Sequence, residues 1–137
     1  MVIRNCAGGL VFYSDKVLLI LNDKHEWSFP KGVVPQGGSV KAAATSRVAV
    51  ETGVEARVLA PAGKTSYEFY SITRRKPVHN NISWFVMSAE SDETVPDKED
   101  GIMDSCFFPV EEALDKITYS QDKSLLMTAY QKYKELT

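Results

Sequence analysis

The sequence has few metal-binding and cross-linking residues. Its 137 residues include two cysteines, Cys6 and Cys106, and two histidines. Because the cysteines lie far apart and form no Cys-x-x-Cys pair, neither a disulfide scaffold nor a structural zinc site is expected. We interpret both cysteines as small hydrophobic residues of a core.

Long apolar runs and an excess of one charge are also missing. The strongest apolar run, residues 17–21, has only the length of a strand, so no membrane span is expected. Sixteen basic and eighteen acidic residues give a net charge of −2 and a pI near 5.7. No field of the whole molecule would then attract duplex nucleic acid or an anionic membrane. Since the N-terminus also lacks the pattern of an export signal, we expect a cytoplasmic protein.

The composition is that of an ordinary globular domain. Hydrophobic residues make up 44%, charged residues 25% and aromatic residues 10% of the chain, which is typical of folded domains. The length suits one domain over residues 1–137. The G-x-S-x-G, P-loop and H-E-x-x-H motifs are absent. Any chemistry must therefore depend on another constellation of residues.

Hydrophobic periodicity predicts strands on both sides of one well-marked helix. Apolar residues recur every fourth position between Ser39, which can cap a helix, and Gly53, which can end it, so a helix is predicted over 39–52. Residues 32–38 contain too much glycine and proline for a helix and are predicted as a loop. Strands are predicted at 6–13, 16–21, 27–29, 54–59, 66–72, 82–87 and 106–108.

An acidic linker and two more helices are predicted towards the C-terminus. Residues 90–104 form the linker, and Pro109 suits the first turn of a helix that ends near residue 117. Residues 120–136 carry an apolar stripe on one side and charges elsewhere. Because each amphipathic face needs a partner, the element order predicts an α/β fold with a mixed sheet between helical layers, an α/β/α sandwich.

One stretch of the sequence resembles a known signature. Trp27-Ser-Phe-Pro-Lys-Gly, a glycine-rich loop and a helix ending in Glu51-Thr-Gly-Val resemble the Nudix hydrolase family. Its box reads G-x₅-E-x₇-R-E-U-x-E-E-x-G-U, with U aliphatic, and the spacing from Gly32 to Val54 fits without a gap. The resemblance covers the whole chain and is greatest to bacterial members that cleave diadenosine polyphosphates and related nucleotides. It implies the Nudix fold and a pyrophosphate-containing ligand.

The charged positions of the box depart from the family pattern. Gly38, Ser46, Arg47 and Val50 replace an acid, an arginine and two further acids, and only Glu51 remains. In the family these carboxylates hold Mg²⁺ or Mn²⁺, which neutralises charge on the pyrophosphate and activates water. The resemblance thus implies Glu51 as the remaining catalytic and metal-binding residue. The substitutions favour a weak or lost metal site.

Arg47 and Glu51 lie one helical turn apart, so they share one face of the predicted helix. Two interpretations follow. Arg47 either forms an ion pair with Glu51 or contacts phosphate oxygens directly, since its planar guanidinium carries five donors. Both interpretations remain open at the level of the sequence.

Further residues are candidates for contacts with a ligand. Lys31 stands where the resemblance places a phosphate-contacting base, and Arg74 belongs to a basic turn that either reaches a polyphosphate or protects the sheet edge. Tyr67 and Trp84 are candidates for stacking on a base, although alternation places half of such aromatics in the core. Five linker acids either replace lost metal ligands or are solvated: Glu93, Asp97, Glu99, Asp100 and Asp104.

Three functions are compatible with these residues. The first and favoured one is binding of a phosphorylated nucleotide, or another pyrophosphate-containing small molecule, with weak or lost hydrolysis. The second is an active hydrolase that uses Mg²⁺ or Mn²⁺ in a reduced site of Glu51 and linker acids, and cleaves a nucleoside diphosphate linked to another moiety. The third is a non-catalytic interaction or regulatory module, since fold does not determine function. The sequence does not specify an oligomeric state.

Overall fold

The computed structural model describes residues 1–137 and contains seven strands and three α-helices. The strands are β1 (Val2–Tyr13), β2 (Lys16–Leu21), β3 (Trp27–Ser28), β4 (Lys31–Val33), β5 (Ala56–Ser71), β6 (Lys76–Ala89) and β7 (Asp104–Pro109). The helices are α1 (Val40–Thr52), α2 (Val110–Lys116) and α3 (Ser120–Leu136), with one turn of 3-10 helix at Lys98–Asp100. None of these helices combines the length and apolar character needed to cross a membrane.

The strands form one mixed sheet. Its main path is β3-β2-β1-β6-β5, while β4 also pairs with β1 and β7 with β2. The long central pair β1 and β6 is parallel, and the other pairings are antiparallel. Strand β5 ends the path, so one of its edges carries no neighbouring strand.

Helices cover both faces of the sheet. On one face, Ala44 and Val48 of α1 pack in a cluster with Val11 of β1. On the other face, Leu126 of α3 packs in a larger cluster with Leu10 of β1. Neighbouring residues of β1 serve opposite clusters because side chains alternate along a strand. The predicted α/β/α arrangement with a mixed sheet is therefore confirmed.

Helix α1 begins and ends as the sequence predicts. Ser39 is its N-cap, and the Ser39 hydroxyl accepts a hydrogen bond of 3.2 Å from the backbone N–H of Ala42. Gly53 follows the last turn with φ 71°, and its N–H donates to the carbonyl of Ala49. Glycine adopts this left-handed conformation without strain, so it suits the end of the helix.

Strand β5 corrects the sequence prediction. Two strands were expected, at 54–59 and 66–72, but Ala56–Ser71 is one strand paired with β6 along its length. The register shifts beside Pro61 and Gly63. Such irregularities let a strand keep its pairing on either side of a residue that disrupts the ladder. Local sequence signals therefore predicted a break in the strand, but pairing with β6 maintains the strand across it.

Both cysteines are free thiols. Cys6 is 5% exposed and belongs to the larger core cluster, which confirms its interpretation as a core residue. Cys106 is only half-buried. Burial raises the pKa of both thiols, and a raised pKa keeps a thiol protonated and poorly reactive.

Candidate ligand-binding site

Strand β4 corrects the predicted start of the glycine-rich loop. Gly32 and Val33, which were predicted as loop, belong to β4 and pair with β1, with Gly32 opposite Ala7. A Cβ atom on Gly32 would collide with the side chain of Arg47. The absence of a side chain at Gly32 therefore lets the guanidinium stem of Arg47 lie directly on β4.

Arg47 forms ion pairs with two carboxylates near the C-terminal end of α1. Its Nη2 lies 2.7 Å from Oε1 of Glu51 and 3.2 Å from Oδ2 of Asp100. The side chain of Glu51 is only 5% exposed, whereas that of Arg47 is 32% exposed. The predicted ion pair between Arg47 and Glu51 is thus present, and one linker acid joins it. We call these three residues the box triad.

Backbone hydrogen bonds place the linker acid there. The last carbonyls of a helix have no partner within the helix. The linker supplies partners, because the N–H of Val95 donates to the carbonyl of Thr52 and the N–H of Asp97 donates to that of Glu51. The chain then turns through Lys98–Asp100 and brings Asp100 back to Arg47. The side chains of the other four linker acids form no hydrogen bond or ion pair with Arg47 or Glu51.

The box triad is electrostatically coupled and incompletely hydrogen-bonded. Burial raises the pKa of the Glu51 carboxyl, and the hydrogen bond and charge of Arg47 oppose this shift. Burial lowers the pKa of Arg47, but its hydrogen bonds and charge interactions with Glu51 and Asp100 outweigh burial and raise it. The buried Oε2 of Glu51 and Nε of Arg47 have no hydrogen-bond partner. The triad therefore retains one free acceptor and one free donor.

The side chains of this region do not fit the metal cluster that the resemblance implies. No three histidine, cysteine, aspartate or glutamate side chains are placed to share an ion. The carboxylates of Glu51 and Asp100 both face the permanent cation of Arg47. Magnesium requires several oxygen ligands in near-octahedral geometry, and here it would also have to displace a guanidinium.

A first cavity lies on the α3 side of the sheet, and we call it the aromatic cavity. It has a volume of about 660 Å³. Its lining includes Lys31, Tyr67, Phe69, Trp84, Tyr119 and Asp122. Tyr67 is 41% exposed, but Trp84 is 3% exposed and its Nε1 donates to Oγ1 of Thr65 at 2.8 Å. Trp84 therefore forms part of the cavity wall and does not offer an open stacking surface.

Charged residues border the aromatic cavity. Burial raises the pKa of Asp122 and that of Glu51, and the charge of Lys31 opposes both shifts. Lys31 is thus electrostatically coupled both to the cavity and to the box triad. At the cavity mouth, the hydroxyl of Tyr119 donates to Glu26, and this hydrogen bond lowers the pKa of Glu26.

Sequence reasoning missed the contribution of α3 to this cavity. Tyr119 and Asp122 belong to no motif, and the only signal for Tyr119 is an aromatic residue between two predicted helices. These residues meet only because α3 packs across the sheet and brings its first turn to the β2–β3 turn.

A second cavity adjoins the first, and we call it the polar cavity. It has a volume of about 730 Å³ and shares Thr65 and Gln121 with the aromatic cavity. The glycine-rich loop and polar residues of the sheet line it. The side chains concerned are Asn5, Gln36, Lys64, Ser66, Asn81 and Ser83.

The structure brings together some of the predicted site residues. Lys31, Tyr67 and Trp84 line one cavity, and Arg47 and Glu51 lie nearby on α1 without lining either cavity. Arg74 lies apart from them in the turn between β5 and β6, where its N–H donates to Oγ of Ser71. It lines neither cavity.

A comparison with known families assigns the chain. The NUDIX domain model matches residues 2–128. The protein belongs to the Nudix family. The assignment agrees with the resemblance of the segment from Trp27 to Val54, and it covers the sheet, α1 and both cavities.

Individual relatives differ in length and in name. A "putative mutator protein MutT4" of Mycobacterium tuberculosis is 30% identical over 105 residues, which are 75% of this chain and 40% of the relative. The chain therefore spans less than half the length of that protein. Among solved structures, the Ap4A hydrolase of C. elegans gives a TM-score of 0.72 at 16% identity, and the alignment covers 96% of this chain and 98% of that one.

Another Nudix structure agrees equally well in fold. The dihydroneopterin triphosphate pyrophosphohydrolase of E. coli gives a TM-score of 0.72 at 15% identity, with 92% of this chain and 95% of that chain covered. At such low identities, these structures demonstrate the shared fold alone. What this chain binds must be argued from its own residues.

Proposed function

We propose that this Nudix protein binds a phosphorylated nucleotide and hydrolyses it weakly or not at all. The observation that carries the proposal is the box triad, in which Arg47 lies 2.7 Å from the one acid that remains in the box. A guanidinium is a permanent cation with a planar set of donors, and phosphate oxygens are among its best partners. By contacting the phosphate oxygens directly, Arg47 would provide part of the positive charge that a metal ion supplies.

The phosphate contact is supported by groups that are already oriented. Nη2 of Arg47 is held by two carboxylates, and the side chain remains 32% exposed. Lys31 adds a second cation between the triad and the aromatic cavity. Two cations facing one polyphosphate give affinity, but they do not generate a metal-bound nucleophile.

The base of the nucleotide fits the aromatic cavity. Tyr67 and Phe69 offer exposed ring surface there, and a base stacked on an aromatic ring gains about 1–3 kcal/mol irrespective of its identity. The cavity volume is within the range of small-molecule sites. Lys31 lies in the lining of the same cavity, so a cation is available there to the phosphates of such a nucleotide.

The decisive experiment combines calorimetry with product analysis. Purified protein is titrated with nucleoside di- and triphosphates and with diadenosine tetraphosphate, first with Mg²⁺ or Mn²⁺ and then with EDTA, and each mixture is analysed by chromatography. We expect binding that changes little with EDTA, no metal-dependent product, and a large loss of affinity in Lys31→Met. Absence of binding to every nucleotide would overturn the proposal and favour an interaction module.

One observation favours a second candidate, an active hydrolase with a reduced metal site. Asp100 does reach α1, so two carboxylates contact the same guanidinium nitrogen, Nη2 of Arg47. If Arg47 moved aside on ligand binding, Glu51 and Asp100 would both face the phosphates. Metal-dependent turnover in the wild type that disappears in Glu51→Gln and in Asp100→Asn would establish this candidate instead.

A further inference from the structure

The free edge of β5 is protected against pairing in only one of its halves. In the first half, the register shifts beside Pro61 and Gly63, and Nζ of Lys132 donates to the carbonyl oxygen of Pro61 at 3.0 Å. Prolines, bulges and lysines are the devices by which proteins keep a sheet edge from pairing. From residue 63 to residue 71, the pairing with β6 is regular and the strand contains no proline. We call this second half the open edge.

The open edge carries rings on one face and charges on the other. Tyr67 is 41% and Phe69 is 37% exposed, and alternation along the strand places Lys64 and Glu68 on the opposite face. Lys64 is exposed and forms no ion pair within the chain. The side chain of Glu68 is 56% exposed, and only its Oε1 is paired, at 3.1 Å from Nδ1 of His79. Both charges are therefore accessible to a partner.

The two charges fit a second copy of the same strand. When two identical strands pair antiparallel about a two-fold axis, one residue lies opposite its own copy and every other pair occurs twice. An axis at Ser66 places Lys64 of each copy opposite Glu68 of the other. An axis at position 65 or 67 leaves both charges without a counter-charge. An axis at position 68 places two glutamates opposite each other, which is unfavourable.

The other pairs of the register centred on Ser66 are also favourable. Thr65 lies opposite Tyr67, and pairs of a β-branched and an aromatic residue stabilise sheets. Phe69 lies opposite Gly63, where an added Cβ would meet nothing within 4 Å, so there is room for the ring. An aromatic side chain across from an edge glycine stabilises a strand pair. Charge and shape thus select the same register.

We propose that residues 63–69 of β5 pair antiparallel with the same residues of a second copy, with Ser66 on the two-fold axis. The sheets of the two copies then form one continuous sheet. Thr65 and Tyr67 both line the aromatic cavity, and in this register Thr65 of each copy lies opposite Tyr67 of the other. Each copy therefore contributes a residue to the border of the other's aromatic cavity.

Charge reversal tests the pairing. Sedimentation velocity over a range of concentrations measures dimer formation, and the wild type should approach about twice the mass of one chain. Lys64→Glu places two glutamates opposite each other at both ends of the interface, and Glu68→Lys does the same with two lysines. We expect the dissociation constant of the dimer to rise at least about tenfold in each variant. The matched control Lys41→Glu, an exposed lysine of α1, should leave it unchanged.

A mixture of the two variants gives the sharpest result. A mixed dimer of Lys64→Glu with Glu68→Lys contains two pairs of opposite charge, whereas each variant alone contains two pairs of like charge. We expect the equal mixture to dimerise within about threefold of the wild type. A general loss of stability in either variant would not be reversed by mixing.

Cysteine cross-linking tests the register. Opposite residues of an antiparallel pair have Cα atoms about 4.5–5.5 Å apart, which is within the range of about 4.4–6.8 Å that disulfides span. Under mild oxidation, Ser66→Cys should therefore form a covalent dimer on a non-reducing gel. Tyr67→Cys is the matched control and should not, because it lies opposite Thr65. The wild type, with Cys6 buried and Cys106 half-buried, should stay monomeric on the gel.

These measurements need no ligand, so they are independent of nucleotide binding. A single-chain mass at every concentration would overturn the proposed dimer. So would a dimer that Lys64→Glu does not weaken, a mixture that dimerises no better than its components, or cross-linking of Tyr67→Cys in place of Ser66→Cys. Any of these results would leave the proposed nucleotide binding intact.

Discussion

The apolar and the charged sides of α1 are under different constraints. Ala44 and Val48 are fully buried against the sheet, and Ser39 and Gly53 cap the helix as the family spacing requires. On the charged side, positions 46, 47 and 50 no longer carry the residues of the box. The comparison shows that the packing residues and the catalytic residues of a helix can change independently. Packing depends on the shape and periodicity of the apolar side chains, whereas catalysis depends on which charged groups the helix presents.

The largest expected effect comes from restoring the charged side. Ser46 and Val50 are exposed, so Ser46→Arg and Val50→Glu should be tolerated, and Arg47→Glu joins them in a triple variant that is expected to fold with some loss of stability because Glu51 loses its cation. With Glu51, they rebuild three carboxylates on one face of the helix. We expect Mg²⁺-dependent release of product at a rate at least about a hundredfold above the wild type, the lower end of what a positioned acid or base supplies.

Two controls accompany this variant. Adding Glu51→Gln should abolish the gained activity. Gly38→Glu belongs to the complete box, but a Cβ there would lie 2.9 Å from the carbonyl oxygen of Pro35, so the loop must shift and this substitution is introduced last. If the folded triple variant binds no Mg²⁺ by calorimetry, the box has been assigned to the wrong positions.

The apolar side should respond in stability and not in chemistry. Val48→Ala creates a cavity in a fully buried position and should lower the free energy of unfolding by about 2–3 kcal/mol. Val50 is 51% exposed on the same helix, so Val50→Ala should change the free energy of unfolding by less than about 0.5 kcal/mol. Urea denaturation measures both, and similar losses in the two variants would contradict the division of α1 into two sides.

A smaller effect is expected when the box triad loses its cation. Arg47→Met keeps an unbranched side chain against Gly32 but leaves the buried carboxylate of Glu51 unpaired. We expect a loss of about 1–2 kcal/mol at neutral pH, less than for a fully buried pair because Arg47 is partly exposed. Urea denaturation at constant salt measures this loss.

The pH dependence of that loss has a definite sign. Burial raises the pKa of Glu51 in the folded protein, so folding favours its protonated form and stability falls as the pH rises through the folded pKa. Arg47 opposes the shift, so Arg47→Met should raise this pKa further. The difference in stability between variant and wild type should therefore shrink from neutral pH towards the ordinary glutamate pKa. A constant difference over this range would show that Glu51 is not the group involved.

The smallest effect concerns the exposed member of the triad. The side chain of Asp100 is 55% exposed, and exposed ion pairs contribute little. Asp100→Asn should lower the free energy of unfolding by less than about 1 kcal/mol and leave nucleotide affinity nearly unchanged. A loss as large as that of Arg47→Met would mean that Asp100 supports Arg47 as much as Glu51 does.

Much of the fold could be predicted from local signals. The span of α1, its caps and the α3 stripe follow from helical periodicity and from residues with strong conformational preferences. Strand β5 was predicted as two pieces because Pro61 and Gly63 weaken a strand locally, while pairing with β6 holds it together. The ion pair of Arg47 and Glu51 was also accessible, since residues four apart share a helix face.

The ligand-binding region was less accessible. Lys31, Tyr67 and Trp84 were named from resemblance and residue type, but the separation of the aromatic and polar cavities was not foreseen. The position of Asp100 follows from backbone hydrogen bonds between the linker and the end of α1. No periodicity in the sequence encodes a contact between residues 53 positions apart.

By itself, the sequence determined the Nudix spacing from Gly32 to Val54, the limits of α1 and the loss of four charged box residues, because these depend on local order along the chain. The tertiary structure alone decided that Arg47 is shared between Glu51 and Asp100, and that one cavity is aromatic and its neighbour polar. Those features depend on strand register and on helix packing, which bring together residues that are distant in the sequence.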